Sequence, residues 1–239
     1  MKTKIFKTNV IHSVDDWYKY SPPQNPKLHW KNGRSAKLLA EYVTSREFTQ
    51  DIGVIIKECG FHVPSVLYCE PEATTKLPCR GTGRKHDLLI EGKDFIIGIE
   101  AKVSEYFGSF ISNEYEKQSE GKRCRVDKLL SYIGLNIETA KDYRYQLLTG
   151  YVGTLLEAKK RNKNKCLFLV MMFLYDKHLS EKDQTAIENN NKDYHLFCRN
   201  LLKLSSDEGA KTYIVDGKQI ICYIKKVKII ITDSKFIIN

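Results

Sequence analysis

A chain of 239 residues with 42% hydrophobic content can bury one good core, and its length admits one domain or two. The formal charge of +10 and a pI of about 9.1 favour a polyanionic partner, with nucleic acid the natural candidate, although solubility alone tolerates this balance. No apolar run approaches the roughly 18 residues of a membrane span, and the first residues lack the apolar core of a signal peptide.

Residues 17–30 are aromatic and proline-rich, with Pro22, Pro23 and Pro26, and should form an ordered irregular arm. Ser35 is placed as the N-cap of a helix through residue 43, with apolar residues at Ala36, Leu39, Ala40 and Val43. A second helix spans 51–58 and ends at Gly60. Residues 63–70 read as the first strand of a sheet, and 71–83 as a turn-rich loop leading into a hairpin over 85–102. Beyond a polar stretch, Val126, Leu129, Leu130 and Ile133 suggest a helix, and 143–160 a longer one interrupted by Gly150 and Gly153. The near-continuous apolar run 166–175 reads as a central strand buried on both faces. Residues 181–202 are mostly helical with a break at Asn189, Asn190 and Asn191. A hairpin over 212–231, turning at Asp216, Gly217 and Lys218, precedes a further strand. The expected architecture is a single α/β domain with a mixed sheet and helices on both faces. Its core covers about 29–176, and 177–239 add a C-terminal helix and a β-rich extension.

The seven cysteines, Cys59, Cys69, Cys79, Cys124, Cys166, Cys198 and Cys222, are odd in number and form no C-x-x-C pair. They read as reduced thiols of a cytoplasmic protein without structural zinc. The histidines, His12, His29, His62, His86, His178 and His195, lack the spacing of a zinc helix. Neither a phosphate-binding loop nor a nucleophile elbow is present.

The hairpin carries the chemistry. A turn at Lys93 and Asp94 sets Asp87 directly opposite Glu100. Strand alternation then sends Ile97, Ile99, Ala101 and Val103 to a core and Gly98, Glu100 and Lys102 to the other face. Two carboxylates suffice for Mg²⁺, which keeps most of its waters and takes its remaining ligands from phosphate. An ammonium beside them can orient or deprotonate a water, or stabilise charge on the phosphoryl group. The acid-x-Lys triplet alone says little, since it recurs at Glu91, Glu120, Glu157, Asp216 and Asp233. Those copies fall in turns, a polar loop, a helix where i and i+2 do not share a face, and a last strand with no helix after it. The bland reading of Asp87, Glu100 and Lys102 is the solvated polar face of an ordinary hairpin.

This Asp87, Glu100-Ala101-Lys102 constellation resembles the signature of the PD-(D/E)XK nuclease superfamily, with its restriction-endonuclease-like fold. His86 stands where that family often has proline. The frame from about 29 to 176 also resembles an uncharacterised bacterial family placed in the superfamily, through His29-Trp30, Gly33-Arg34-Ser35-Ala36, Glu105-Tyr106-Phe107-Gly108 and Arg144-Tyr145-Gln146-Leu147-Leu148. The resemblance implies that Asp87 and Glu100 bind Mg²⁺ or Mn²⁺ and that Lys102 assists attack by water on a phosphodiester, DNA being favoured over RNA. It also implies a third metal-ligating acid, for which Glu70 at the end of a neighbouring strand is preferred to Glu41, and a contact from Gln146 or Arg144 on the following helix. Glu105 could steer a water or simply end a strand. His86, on the opposite face of a regular strand, is expected to pack rather than ligate. Basic runs at 117–128, 159–165 and 225–228 are solvated faces or parts of a nucleic-acid groove, and a homodimer is admitted. The rival expectation is a non-catalytic nucleic-acid-binding or partner-binding protein on the same fold.

Overall fold

The computed structural model describes residues 1–116, 119–176, 180–232 and 235–239. Lys117, His178 and the Asp233-Ser234 pair lie outside the described residues. The chain opens with β1 (Lys2–Phe6) and β2 (Val10–Ile11), then α1 (Val14–Tyr20), α2 (Pro26–His29), α3 (Ser35–Val43) and α4 (Arg46–Glu58). β3 (Val66–Thr75), β4 (Arg84–Glu91) and β5 (Phe95–Lys102) follow, then α5 (Ile111–Glu116), α6 (Glu120–Tyr132), α7 (Ile137–Ala140) and α8 (Tyr145–Lys160). β6 (Lys165–Tyr175), α9 (Glu181–Leu196), a π-helical turn (Phe197–Leu201), β7 (Gly209–Val215), β8 (Lys218–Ile231) and β9 (Phe236–Ile238) complete it.

Nine strands form one mixed sheet among the described residues, in the order β2-β1-β3-β4-β5-β6-β8-β7, with β9 paired to β8. β5, β6 and β8 are parallel neighbours at its centre, and β1 joins β3 in parallel. Both faces are covered, as a parallel centre requires. One core sets α1, α3 and α4 against Leu67, Leu88, Ile97, Ile99 and Leu169. The other sets α6, α8 and the end of α9 against Leu89, Ile96, Phe168 and Val170.

The sheet corrects several boundaries. The 17–30 arm holds α1 and α2: the Ser13 side chain accepts from the Asp16 N–H to cap α1, and Trp17 is buried. Ser35 is the first helical residue and Arg34 occupies the cap position. The second helix begins at Arg46, and β3 runs on past Glu70 to Thr75. The three asparagines do not break α9, because Asn190 is buried with its amide donating to the Glu105 carbonyl at 2.9 Å. Tertiary contact overrides their weak helix propensity there. The C-terminal strands are integral to the sheet, β8 lying along β6 for the whole of that strand.

Gly150 of α8 and Gly98 of β5 sit where the helix meets the sheet, whereas a Cβ at Gly153 would make only ordinary contact. A Cβ at Gly150 would overlap the Phe168 ring, and one at Gly98 would overlap the Thr154 hydroxyl and press on the His86 ring. Their absence lets α8 settle directly onto β5 and β6.

Two other expectations change. Cys79 and Cys124 form a disulfide, so not all seven thiols are reduced; Cys59, Cys69, Cys166, Cys198 and Cys222 are free. The partners lie 45 residues apart and meet only because the loop before β4 folds onto α6. The basic run 159–165 is committed to ion pairs. Arg161 holds Glu91 at 2.6 Å and Glu157 at 2.9 Å, Lys163 holds Glu91 at 2.9 Å, and Lys159 holds Asp216 at 2.5 Å. They tie the end of α8 to the β4–β5 and β7–β8 turns.

Candidate active site

The strands of the hairpin separate where the polar residues begin. β4 and β5 stay in register from Glu91 opposite Ile96 to Leu88 opposite Ile99, the alignment that sets Asp87 across from Glu100, and there the ladder stops. β3 and β4 also lose their pairing at this level: Pro71 pairs with Leu88 and Ala73 with His86, but Glu72 and Asp87 between them do not pair. Glu72 has φ of +48°, a left-handed conformation uncommon for a residue with a Cβ. The kink turns both strands over. Leu67, Cys69, Leu88 and Ile90 belong to the α3 and α4 core, whereas Ala73 joins the α8 core and Arg84 and His86 lie against Gly153. At the kink Asp87 Oδ2 accepts the Ala101 N–H at 2.7 Å, satisfying a backbone donor where β4 has drawn away.

β5 alternates as expected, but its polar face is not solvated. Gly98, Glu100 and Lys102 lie beneath α8, with Glu100 2% and Lys102 5% exposed. Charges buried so deeply must be paired. Glu100 Oε1 accepts from the Lys102 ammonium at 2.8 Å, and Oε2 accepts from the Arg84 guanidinium. Burial pushes the Glu100 carboxyl up, but Arg84 and Lys102 outweigh it and hold the group below its ordinary value. Burial pulls the Lys102 ammonium down, and Glu100 and Asp87 more than restore it, so it is raised overall. Asp87 is pushed up to about 8 by desolvation and by the charge of Glu100, with Glu72 adding to both. His86 is fully buried, its Nε2 3.1 Å from the Thr75 hydroxyl, and desolvation followed by Arg84 lowers it to about 3. It packs as expected, but on the same side of the sheet as Glu100, because the strand is not regular there.

A cavity of about 240 Å³ opens at this end of the sheet, lined by Asp87, Glu100, Lys102, Glu105 and Gln146. Gln146 stands in the first turn of α8, and Glu105 Oε2 accepts the Val103 N–H at 3.0 Å. His29, Arg34 and Ser35, from α2 and the start of α3, form the other wall.

Three candidates are not part of this cavity. Glu70 is held by Lys7 at 2.8 Å and Arg161 at 3.4 Å, and lines a separate cavity of about 750 Å³ beside β1. It faces the α8 side of the sheet, as Glu100 does, but it pairs with Leu89 ahead of the kink and is held at the Arg161 end of α8, away from the cavity. Arg144 bonds Asp193 at 2.7 Å and the Gly108 carbonyl at 2.9 Å and lies over the Phe110 ring, tying α8 to its neighbours. Glu41 sits on α3, 3.9 Å from Lys37. The acid that couples electrostatically to Asp87 and Glu100 is Glu72. A proline within a strand marks a break in its ladder, so Pro71 was the available signal for Glu72. Nothing local distinguishes Arg84.

Residues 10–228 match a family described as a domain of unknown function, DUF6946. The chain belongs to that family. The matched span runs from β2 into β8 and so contains every residue of the cavity. No curated protein and no solved structure matches the chain.

The DUF6946 site offers oxygen donors, the chemistry of a hard cation. Among the described residues no group of three or more His, Cys, Asp or Glu side chains is arranged for a metal. Asp87 and Glu100 are two carboxylates on one cavity wall, which fits Mg²⁺ or Mn²⁺ holding several waters, provided Arg84 yields Oε2 of Glu100.

Proposed function

We propose that this chain is a Mg²⁺- or Mn²⁺-dependent nuclease hydrolysing phosphodiester bonds in DNA, on a restriction-endonuclease-like version of its mixed α/β fold. The observation that carries the reading is the kinked hairpin, which brings the carboxylates of Asp87 and Glu100 and the ammonium of Lys102 to one cavity. Asp87 and Glu100 would hold the metal, which when bound supplies a Lewis acid and a more acidic water. Lys102 stays charged because Glu100 and Asp87 raise it, so it acts by stabilising negative charge on the phosphoryl oxygens rather than as a base. Gln146 and the Glu105 carboxylate face the same space and orient substrate or water. The covering α8, settled close through Gly150 and Gly98, strengthens these electrostatic effects by excluding water.

One observation favours a second reading. The Arg84 guanidinium already neutralises Glu100, as it would in a protein that binds nucleic acid without metal or cleavage. A panel of duplex DNA, single-stranded DNA and RNA, incubated with Mg²⁺, Mn²⁺ or chelator, separates the two. Lys102→Ala is expected to reduce cleavage by about 100-fold or more while leaving affinity nearly unchanged. Salt-dependent binding by wild type with no metal-dependent cleavage of any substrate would establish the binding protein instead.

A further inference from the structure

Gln146 separates two cavities. On the side away from Asp87 lies a space of about 290 Å³ lined by Arg84, Lys85, Lys122 and Arg125, with Thr149 of α8 beside Gln146. The acid on its wall, Glu114, is neutralised by Lys122 at 2.8 Å and accepts from the Ser109 hydroxyl at 2.7 Å. Arg84 is shared with Glu100 and Lys85 with Glu72 at 3.5 Å, both acids outside the space, so four cations line it against one acid and the lining is positive. Arg84 is 8% exposed, and its buried Nε–H has no hydrogen-bond partner among the described residues. An unsatisfied buried guanidinium donor costs free energy that an anionic oxygen would recover. The start of α8, which has no side-chain cap, contributes its positive dipole end.

The pocket is also built in advance. Arg125 donates to the Pro78 carbonyl at 3.3 Å and the Arg80 carbonyl at 2.7 Å, and the Cys79–Cys124 disulfide fastens the same loop to α6. The rim thus needs little reordering on binding. Arg84 connects the two cavities, since it lines this one and bonds Glu100 of the other. An anion-attracting pocket one side chain away from a cation site suits a polyanion better than an isolated phosphate.

We propose that this cationic pocket is a phosphate subsite of the candidate active site, taking a phosphate of the nucleic-acid strand next to the one that lies over Asp87 and Glu100. The identity of the strand rests on the nuclease reading; the anion site does not. Arg84 is then shared, released from Glu100 to the strand phosphate when a cation takes its place.

The test uses the full chain and the double variant Lys85→Gln/Lys122→Gln, whose side chains are 47% and 39% exposed and so are dispensable for folding, as circular dichroism would verify. Lys160→Gln, at the far end of α8, is the control. Two readouts are taken: the thermal shift caused by inorganic phosphate in chelator, and the salt dependence of binding to a single-stranded DNA oligonucleotide. The double variant is expected to lose the phosphate shift and to flatten the slope of log K against log salt by about 0.7, the share of one phosphate. The control should match wild type in both. If wild type shows the shift and the double variant loses it, but no nucleic acid is bound, the pocket stands and the nuclease reading falls. If wild type binds and cleaves DNA and the double variant equals it in shift and slope, the nuclease stands and the pocket is overturned.

Discussion

Metal binding at Asp87 and Glu100 should release one proton, and the pH at which it does so follows from the structure. Glu100 is held below its ordinary range, Lys102 is raised, and His86 lies near 3, so of these four groups only Asp87, at about 8, titrates between pH 6 and 9. A carboxylate must be ionised to ligate a cation. With a pKa of about 8, Asp87 is ionised to roughly 1% at pH 6, 9% at pH 7 and 50% at pH 8. Apparent affinity for Mn²⁺ should therefore rise about 50-fold from pH 6 to 8 and less than about two-fold from pH 8 to 9. Titration calorimetry at each pH, in two buffers of different ionisation enthalpy, gives both affinity and protons released; Asp87→Asn should weaken binding and flatten the profile. The same shift predicts the stability of the metal-free protein. The folded-state carboxyl is raised from 3.8, so its contribution is most favourable below about pH 4 and is lost as pH rises towards 8. An affinity unchanged between pH 6 and 8, or binding without proton release, would refute the assignment of Asp87 as the buried ligand.

Three further outcomes test the geometry around this pair. Glu72→Gln should move the midpoint of the metal profile to lower pH, because the Glu72 charge helps to raise Asp87, whereas Glu70→Gln, outside the cavity, should leave the calorimetric profile unchanged. Gly98→Ala should destabilise the fold by about 1–3 kcal/mol in urea melts, since the new methyl meets Thr154 and His86; a gain in stability would show that α8 does not press on β5 there. Cys79→Ser should cost roughly 2–4 kcal/mol by the same measurement, as expected for opening a loop of 45 residues, and a reductant should reproduce the loss in wild type only.

The hairpin register was legible in the sequence because it depends on local rules. A two-residue turn at Lys93 and Asp94 and the alternation of Ile97, Ile99 and Ala101 place Asp87 across from Glu100, as the observed pairing of Leu88 with Ile99 does. The continuous apolar run of β6 likewise specifies a strand buried on both faces, and the spacing of Leu147, Leu148, Tyr151, Val152 and Leu155 specifies the face of α8. The partners of these elements had to come from the tertiary structure. Strand alternation assumes a regular ladder, and the paired kink at Glu72 and Asp87 breaks it, sending His86 and Arg84 to the side of Glu100, while ion pairs to Lys7 and Arg161 hold Glu70 at the other end of α8. Charge runs show how much charge is present but not what neutralises it. Residues 159–165 are spent on Glu91, Glu157 and Asp216, while the cations beside Gln146 come from two distant segments, Arg84 with Lys85 and Lys122 with Arg125. The disulfide and the placing of β8 beside β6 are contacts between residues far apart in the chain. Periodicity, capping and turn chemistry act within a few residues, so they specify elements and faces; which faces meet is decided by packing the whole chain into one core-sharing sheet.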